Sequence, residues 1–309
     1  MVEIQASGDI LGARIEGVDL AEPLDHAAFV AIVRALGTHG VVCFPRQRLD
    51  AAALRRFSAH FGTLEINVAG GFQEPGFPDV MILSNIVEDG RPIGLADAGQ
   101  DWHTDMSYST TIAYANVLYG IRIPRREGRA LGDTRFASMQ AAYEDLPPAI
   151  RQKLQGATAV HDFAKFWDRM RATPGSGRPP LTDDQRRQKP PVAHPVFLQH
   201  PITGRRVLYA NPGYAIRIEG LPQSESDQLL EFLFEHQLQS KYQYAHHWNE
   251  RDVLMWDDLV TLHNAVPDYR ADEPRLIKRC QVMADRVFEA DFLIPTEKLR
   301  PARPMPASP

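Results

Sequence analysis

The stretch Trp102-His103-Thr104-Asp105 decides the fold that this sequence predicts, together with the distant segment Val260-Thr261-Leu262-His263-Asn264-Ala265. Two neutral imidazoles and one carboxylate are the ligands that hold non-haem Fe(II) on one face and leave the opposite face open for oxygen and a substrate. In an extended strand His103 and Asp105 point to the same side, whereas Thr104 points to the other side. The pattern therefore predicts an iron site that begins on a β-strand and is completed by the distant histidine.

Two arginines follow the distant histidine, in the segment Pro274-Arg275-Leu276-Ile277-Lys278-Arg279. A guanidinium is a planar fork that binds a carboxylate through two hydrogen bonds and stays charged when it is buried. An arginine beside an iron site is therefore suited to anchoring a dicarboxylate co-substrate.

The order of these motifs resembles that of one family. The decisive motifs are His-x-Asp at 103–105, Gly132-Asp133-Thr134, Trp256-Asp257, His263, and Arg-x-x-x-Arg at 275–279. This order is similar to that of the Fe(II)- and 2-oxoglutarate-dependent dioxygenases of the taurine dioxygenase and 2,4-D dioxygenase type. The likeness extends over nearly the whole chain, with further matches at Gly17-Val18-Asp19-Leu20, Phe61-Gly62, Ala142-Tyr143-Glu144, His161-Asp162-Phe163, His200-Pro201-Ile202-Thr203-Gly204-Arg205 and Gly220-Leu221-Pro222.

The resemblance implies a role for each matched polar residue. The residues that would bind Fe(II) are His103, Asp105 and His263. The residues that would hold the far carboxylate of 2-oxoglutarate are Thr134 and Arg275, and Arg279 would face an anionic group on the substrate.

Two of these assignments have simpler alternatives. Thr134 could be a turn residue after Gly132-Asp133, because glycine and aspartate favour turns and a threonine hydroxyl satisfies nearby backbone. Arg279 could pair with a structural carboxylate such as Asp285 or Glu289.

The resemblance also implies an activity. The enzyme would hydroxylate an unactivated C–H bond with O2 while 2-oxoglutarate is decarboxylated to succinate and CO2. The same iron site could instead serve desaturation or another oxidation in secondary metabolism. A third hypothesis, from a different class of protein, is a cupin-like protein that binds metal without turnover.

The predicted substrate is a small organic anion that is bulkier than taurine. By alignment of the shared motifs, the substrate pocket would be lined by Asn67, Gly70, Gly99, Phe166, Trp167 and Tyr214. Two side chains of the taurine-cleaving pocket would thus be reduced to glycine, and Phe166 stands where a small hydroxyl residue is expected. These exchanges remove hydrogen-bonding groups and add apolar surface, which favours a sulfonate, sulfate ester or carboxylic acid with an aromatic or alkyl body.

The remaining histidines are expected to have surface or core roles. They are His26, His39, His60, His161, His194, His200, His236 and the adjacent pair His246-His247. Only the adjacent pair invites comparison with a metal site, and adjacent strand residues face opposite ways, so one ion is not expected to bind both.

The composition is that of a soluble enzyme. Of 309 residues, 44% are hydrophobic and 24% are charged, and the continuous resemblance favours one domain over residues 1–300 with a disordered, proline-rich tail at 301–309. The net charge of -5 gives no reason to expect a nucleic-acid partner. The basic run Arg186-Arg187-Gln188-Lys189 is interpreted as a solvated loop.

The expected location is a reducing cytoplasm. Cys43 and Cys280 are too few for a disulfide framework. No apolar run approaches the roughly 20 residues of a membrane span, and Met1-Val2-Glu3-Ile4 lacks a basic-then-apolar signal. A homo-oligomer is expected because members of the family often associate through helices and loops.

Periodicity predicts a β-rich α+β fold. Helices are expected at 26–36, after the N-cap residue Asp50, and at 224–236. Short strands are expected at 41–44, 80–83, 113–121, 207–210, 253–256 and 280–284. Many short strands suggest a two-sheet jelly roll, and the resemblance implies a cupin-like double-stranded β-helix with flanking helices.

Three loop regions have further expectations. Residues 70–78 and 88–100 could close over the site as lids, or could be ordinary surface loops. Residues 167–191 are dense in Pro, Gly, Arg and Asp, and they are expected to be flexible without substrate.

Overall fold

A computed structural model describes residues 2–66, 71–173 and 178–295, so Asn67, Gly70 and the tail at 301–309 lie outside the described residues. The helices in this part of the chain are α1 His26–His39, α2 Ala51–Ala59, α3 Met139–Glu144, α4 Pro148–Lys153, α5 Phe163–Ala172, α6 Asp183–Gln188 and α7 Gln223–Gln237, with a 3-10 turn at Ser240–Tyr242. The strands are β1 Glu3–Ala6, β2 Ala13–Glu16, β3 Val41–Phe44, β4 Gln73–Glu74, β5 Phe77–Ser84, β6 Val87–Glu88, β7 Arg91–Pro92, β8 Ala113–Arg122, β9 Arg125–Arg126, β10 Arg129–Ala130, β11 Thr134–Ser138, β12 Thr158–His161, β13 Val192–Pro195, β14 Phe197–Gln199, β15 Arg206–Leu208, β16 Ala215–Ile218, β17 Gln243–His246, β18 Val253–Asp257, β19 Thr261–Ala265 and β20 Leu276–Met283.

Two sheets enclose the interior that positions the site. The larger sheet has eight strands in the order β1-β2-β3-β18-β8-β20-β5-β4, and a three-stranded sheet has the order β17-β11-β19. Apolar side chains of both sheets form one buried cluster, in which the ring of Phe136 on β11 lies edge-on to Trp256 on β18 at 5.4 Å between centroids. The jelly-roll prediction and the α+β class are confirmed.

Helices α1 and α2 cover the outer face of the larger sheet. Alternation along β3 directs Val42 and Phe44 toward these helices, where Phe44 meets Phe57 of α2 at 5.6 Å between ring centroids. Asp50 accepts a hydrogen bond from the Ala53 amide at 2.7 Å, so the predicted N-cap is present.

A third sheet, β13-β12-β16, supports the segment that carries the predicted substrate residues. The segment expected to be flexible, 167–191, includes the end of α5 and all of α6 in its described part. Thr182 and Gln185 form a reciprocal capping box, which satisfies the amides that open α6 despite the surrounding prolines. The expectation that this segment is flexible without substrate stays a prediction. Strand boundaries differ from the predicted ones by up to four residues, as where β20 begins at Leu276.

The loops considered as lids contain short hairpins. Strands β6 and β7 pair within residues 88–100, and β4 pairs with β5 near residue 73. Among the described residues, no helix combines the length and the apolar character that a membrane crossing requires.

Candidate active site

Backbone hydrogen bonds bring the two histidines together. The His103 amide donates to the His263 carbonyl at 3.2 Å, and the His263 amide donates to the His103 carbonyl at 2.8 Å. His263 lies in β19, but His103 forms only an isolated bridge, and the chain turns at Asp105. The prediction of a regular strand through His-x-Asp was therefore wrong, because Met106 has a φ of 55° and the Thr104 hydroxyl donates to the Asp258 carbonyl at 2.6 Å.

The three predicted ligands nevertheless converge. One nitrogen or carboxylate oxygen from each of His103, Asp105 and His263 lies within 4.8 Å of the others. His103 Nε2 is 3.4 Å from Asp105 Oδ1, and His263 Nε2 is 4.0 Å from Asp105 Oδ2. A group of two imidazoles and one carboxylate at these separations could hold one divalent metal ion.

The electrostatics of the cluster suit a metal. Burial, followed by the charge of His103, lowers the pKa of His263 well below its usual value, so this imidazole is neutral. Burial alone would raise the pKa of Asp105, but the hydrogen bond from His103 and the charge of Arg279 contribute to holding it far below the usual range. A neutral imidazole and an ionised carboxylate are the states in which these groups bind metal.

Two buried polar residues support the ligands from behind. The Asn116 side-chain amide donates to Asp105 Oδ2 at 3.0 Å and to Asp258 Oδ2 at 2.8 Å. Asp258 Oδ1 is 3.8 Å from His263 Nδ1. Neither residue was predicted from the sequence, although Asp258 directly follows the Trp256-Asp257 motif and could have been found from it.

Arg275 and Thr134 are both buried, and Gly132, two residues before Thr134, lies next to the Arg275 side chain. Thr134 is the first residue of β11 and is buried, and its Oγ1 accepts a hydrogen bond from Trp248 Nε1 at 3.0 Å. The alternative interpretation of Thr134 as a turn residue was therefore wrong. Arg275 is 6% exposed, and its guanidinium lies 5.7 Å from the centroid of the Tyr269 ring.

Arg279 is directed to the metal cluster. Its Nη1 is 3.5 Å from Asp105 Oδ2, and its Nε has no hydrogen-bond partner among the described residues. The proposed structural partners are engaged elsewhere, since Asp285 accepts from the Thr63 amide at 3.1 Å and Glu289 contacts Arg286 at 3.5 Å.

An aromatic wall borders the cluster. The ring of Phe166 lies 4.7 Å from that of His103 and 5.2 Å from that of Tyr214. Tyr108 extends the wall, at 4.8 Å from Tyr214 and 4.9 Å from Phe163. Tyr108 and Phe163 were not predicted as pocket residues, although each lies three residues from a predicted site residue, Asp105 and Phe166 respectively.

The other two described pocket residues, Trp167 and Gly99, contact Phe163, Pro179 and Ala265. Trp167 meets Phe163 at 5.8 Å between ring centroids, and its Nε1 donates to the Pro179 carbonyl at 2.8 Å. Gly99 lies beside the end of β19, where its carbonyl accepts a hydrogen bond from the Ala265 amide at 2.8 Å.

The basic run 186–189 is not a solvated loop as a whole. Arg186 and Arg187 lie in α6, and Lys189 is partly buried against the aromatic wall. Its Nζ lies 4.4 Å from the centroid of Phe163 and 5.1 Å from that of Tyr108. The interpretation was wrong for Lys189, because its ammonium group lies over the faces of rings that the sequence does not place nearby.

Comparison with known proteins agrees with this geometry. Residues 3–281 match the family described as "Taurine catabolism dioxygenase TauD, TfdA family". The chain is 30% identical to pentalenolactone F synthase of Streptomyces avermitilis, over 90% of this chain and 92% of that protein. It is also 30% identical to the alpha-ketoglutarate-dependent 2,4-dichlorophenoxyacetate dioxygenase of Cupriavidus pinatubonensis, over 90% of this chain and 96% of that protein.

A solved structure from Burkholderia xenovorans has the same fold. It is provisionally described as an alpha-ketoglutarate-dependent 2,4-D dioxygenase, and it superposes with a TM-score of 0.76 at 29% identity, covering 93% of this chain and 98% of that chain.

The jelly roll, the converging histidines and carboxylate, and the match over most of the sequence define the class: the chain belongs to the TauD/TfdA family. It is an oxidoreductase that depends on 2-oxoglutarate (α-ketoglutarate) and O2. The hypothesis of a metal-binding protein without turnover is not supported.

Proposed function

We propose that this dioxygenase hydroxylates an unactivated C–H bond of an organic anion bulkier than taurine, while 2-oxoglutarate is decarboxylated to succinate and CO2. His103, Asp105 and His263 would hold Fe(II), since their donor atoms converge within 4.8 Å. Bound Fe(II) would supply the oxidation of the C–H bond by O2, with 2-oxoglutarate as co-reductant. The protein's own groups bind and orient the two organic molecules and exclude water.

The observation that carries this proposal is the buried guanidinium of Arg275. Burial lowers its pKa from the usual value, because a hydrogen bond with Tyr269 and the charge of Asp268 offset the burial only in part. None of the described carboxylates lies within salt-bridge distance of it, and its Nε has no hydrogen-bond partner among the described residues. A buried cation without a counter-ion is costly unless a ligand supplies the charge. The far carboxylate of 2-oxoglutarate would supply it through the fork of the guanidinium.

Thr134 would complete the same carboxylate site. Its Oγ1 already accepts a hydrogen bond from Trp248, so its own proton remains available for donation. A hydroxyl donor and a guanidinium together would fix one end of a dicarboxylate, and the other end would then reach the metal ligands.

Arg275→Lys tests the co-substrate site. We expect the concentration of 2-oxoglutarate needed to form the visible charge-transfer band with Fe(II), measured without oxygen, to rise at least about 30-fold. This corresponds to roughly 2 kcal/mol for the lost bidentate hydrogen bonding to the carboxylate, since lysine keeps the charge but not the planar fork. Arg126→Lys is the control, because Arg126 forms a salt bridge with Glu273 instead. An unchanged requirement in Arg275→Lys would exclude the anchoring role, and absence of the band in the wild type would exclude the metal and co-substrate assignment.

The aromatic wall supports a substrate with an aromatic or alkyl body. Phe166, Tyr214 and Tyr108 form consecutive ring contacts that start at His103. Arg279 and Lys189 provide positive charge at the metal side and the outer side of this wall. An apolar wall between two cations suits a flat or branched organic acid, and a relative named for 2,4-dichlorophenoxyacetate agrees with this choice.

Succinate release with a panel of carboxylates, sulfonates and sulfate esters tests the substrate class. We expect bulky anions to be turned over well and taurine poorly, and comparable turnover of taurine would disprove the proposal. Phe166→Ala should raise KM about tenfold or more through lost ring contact, whereas Phe232→Ala, on the exposed face of α7, should not. Product mass separates hydroxylation, which adds an oxygen, from desaturation, which removes two hydrogens.

A further inference from the structure

A second group of metal-ligating side chains lies outside the iron cluster. One ligand atom from each of Cys43, His246 and Asp252 lies within 4.8 Å of the others, and all three residues are buried. They come from separate elements: β3, the last residue of β17, and the turn before β18. Neither the family motifs nor the proposed reaction uses any of them.

One ring nitrogen of the histidine in this group has no hydrogen-bond partner among the described residues. His246 Nε2 is buried and forms no hydrogen bond with any described residue, and it lies 3.6 Å from Asp252 Oδ2. A separation of 3.6 Å is too long for a hydrogen bond. It is close to the roughly 3.4 Å expected between nitrogen and oxygen ligands on one tetrahedral zinc ion.

The packing around the group holds the ligands in place. Asp252 Oδ2 accepts a hydrogen bond from the Asn249 amide at 2.9 Å, which leaves other lone pairs free. The ring of Trp248 lies edge-on to His246 at 5.0 Å between centroids. His247 faces away, 72% exposed at its side chain and bonded to Asp133, as expected for adjacent strand residues.

We propose that Cys43, His246 and Asp252 form a second metal site, for a thiophilic divalent ion such as Zn²⁺. Thiolate, imidazole and carboxylate are the protein ligands of zinc, and the fourth position would be filled by water. The thiolate and carboxylate charges neutralise the ion, and the thiol proton of Cys43 is released to solvent when the sulfur–metal bond forms.

The proposed ion would have a structural role. It would join β3, β17 and the start of β18. Within the smaller sheet His246 pairs with Thr134, and Trp248 donates its hydrogen bond to the same threonine. The ion would therefore stabilise the part of the smaller sheet that carries Thr134, a residue of the proposed co-substrate site. This inference does not depend on the chemistry of the iron cluster.

Titration of the metal-free full chain with Co²⁺ tests the second site, because only thiolate ligation gives an intense near-ultraviolet sulfur-to-cobalt band. We expect two ions per wild-type chain and the thiolate band. Cys43→Ser and His246→Gln should each bind one ion, and Cys43→Ser should lack the band. Cys280→Ser is the matched control, since Cys280 is also buried, and it should keep both ions and the band.

His103→Ala separates this proposal from the proposed function. That variant should lose one ion and keep the thiolate band. If the wild type binds one ion and shows no band, the second site is excluded, whatever the fate of the iron assignment. A band that persists in Cys43→Ser would also exclude it, and the wild-type result stands even if a variant fails to fold.

Discussion

At the scale of single residues, Asn116 connects two carboxylates behind the metal ligands. Its side-chain amide donates to Asp105 and to Asp258 at once, so it restrains the carboxylate that would bind iron. Groups of this kind orient ligands, and their loss typically weakens metal binding about 10- to 100-fold.

Asn116→Ala should therefore lower the affinity for Mn²⁺ or Fe²⁺ by roughly that factor, measured by titration of the metal-free protein. Asn211→Ala serves as control, because Asn211 is equally buried but bonds to Ser107 and Tyr214 instead of a ligand. An equal loss of affinity in both variants would show that the effect is general destabilisation.

The sequence predicted the three side chains that converge in the cluster, but not the residues that support them. His103, Asp105 and His263 stand in a recognisable order, and the structure brings their donor atoms together. Asn116 has no neighbour in sequence that marks it, because its two partners lie 11 and 142 residues away. Asn116 can bridge the two carboxylates only because β8 pairs with β18, and the residues next to Asn116 in sequence do not indicate that pairing.

At the scale of elements, the turn between β10 and β11 shapes the proposed co-substrate site. Gly132 has a φ of 76°, and a Cβ added there would lie 3.1 Å from Arg275 Nε. Gly128 has a similar φ of 81°, but a Cβ there would meet nothing within 4 Å. An added side chain would therefore be strained by the left-handed backbone at both glycines, but it would contact Arg275 only at Gly132.

Gly132→Ala should raise the KM for 2-oxoglutarate several-fold, because the added methyl group displaces the guanidinium. Gly128→Ala should leave that KM unchanged, and both should destabilise folding by about 1 kcal/mol through the left-handed backbone. Steady-state kinetics and urea unfolding check the pair. A matching KM increase in Gly128→Ala would assign the effect to strain alone.

Elements with a regular apolar pattern were predicted well, and the exceptions have local causes. Strand β3 coincides with the predicted 41–44, and α1 extends the prediction of 26–36 by three residues to His39. The His-x-Asp stretch was expected to be a strand because of its spacing. The hydroxyl of Thr104 and the positive φ of Met106 turn the chain instead, and neither is visible as periodicity.

At the scale of the whole molecule, buried histidines should make folding sensitive to acid. Burial, with a smaller contribution from His194, lowers the pKa of His161 to about 3. The unfolded chain, with an ordinary histidine pKa near about 6.5, takes up a proton over a range in which the folded protein does not. Stability is therefore complete above about pH 6.5 and falls as the pH decreases toward 3.

We expect the free energy of unfolding to drop by about 2 kcal/mol between roughly pH 7 and pH 5 from His161 alone. His161→Gln keeps a polar group near Ser107 but cannot titrate, so its stability should vary less over that range. Urea unfolding at several pH values measures this. Parallel curves for the two proteins would show that His161 does not contribute.

Contacts between residues that are far apart in the chain could not be predicted from the sequence. The jelly roll followed from many short strands, but nothing near Cys43 indicates that His246 would lie beside it. The single domain over 1–300, the cytoplasmic location and the homo-oligomer stay predictions.

The reciprocal hydrogen bonds between His103 and His263 join backbone amides and carbonyls, so every replacement of these residues except proline keeps the donors and acceptors. Two coordinating groups would thus keep their spacing in the apoprotein. Uptake of the ion would be a simple bimolecular step, limited by shedding of its hydration water instead of by refolding. A chelator should remove the metal ion reversibly and leave the protein folded. The fraction of folded protein that is active would then depend on the supply of iron in the cell.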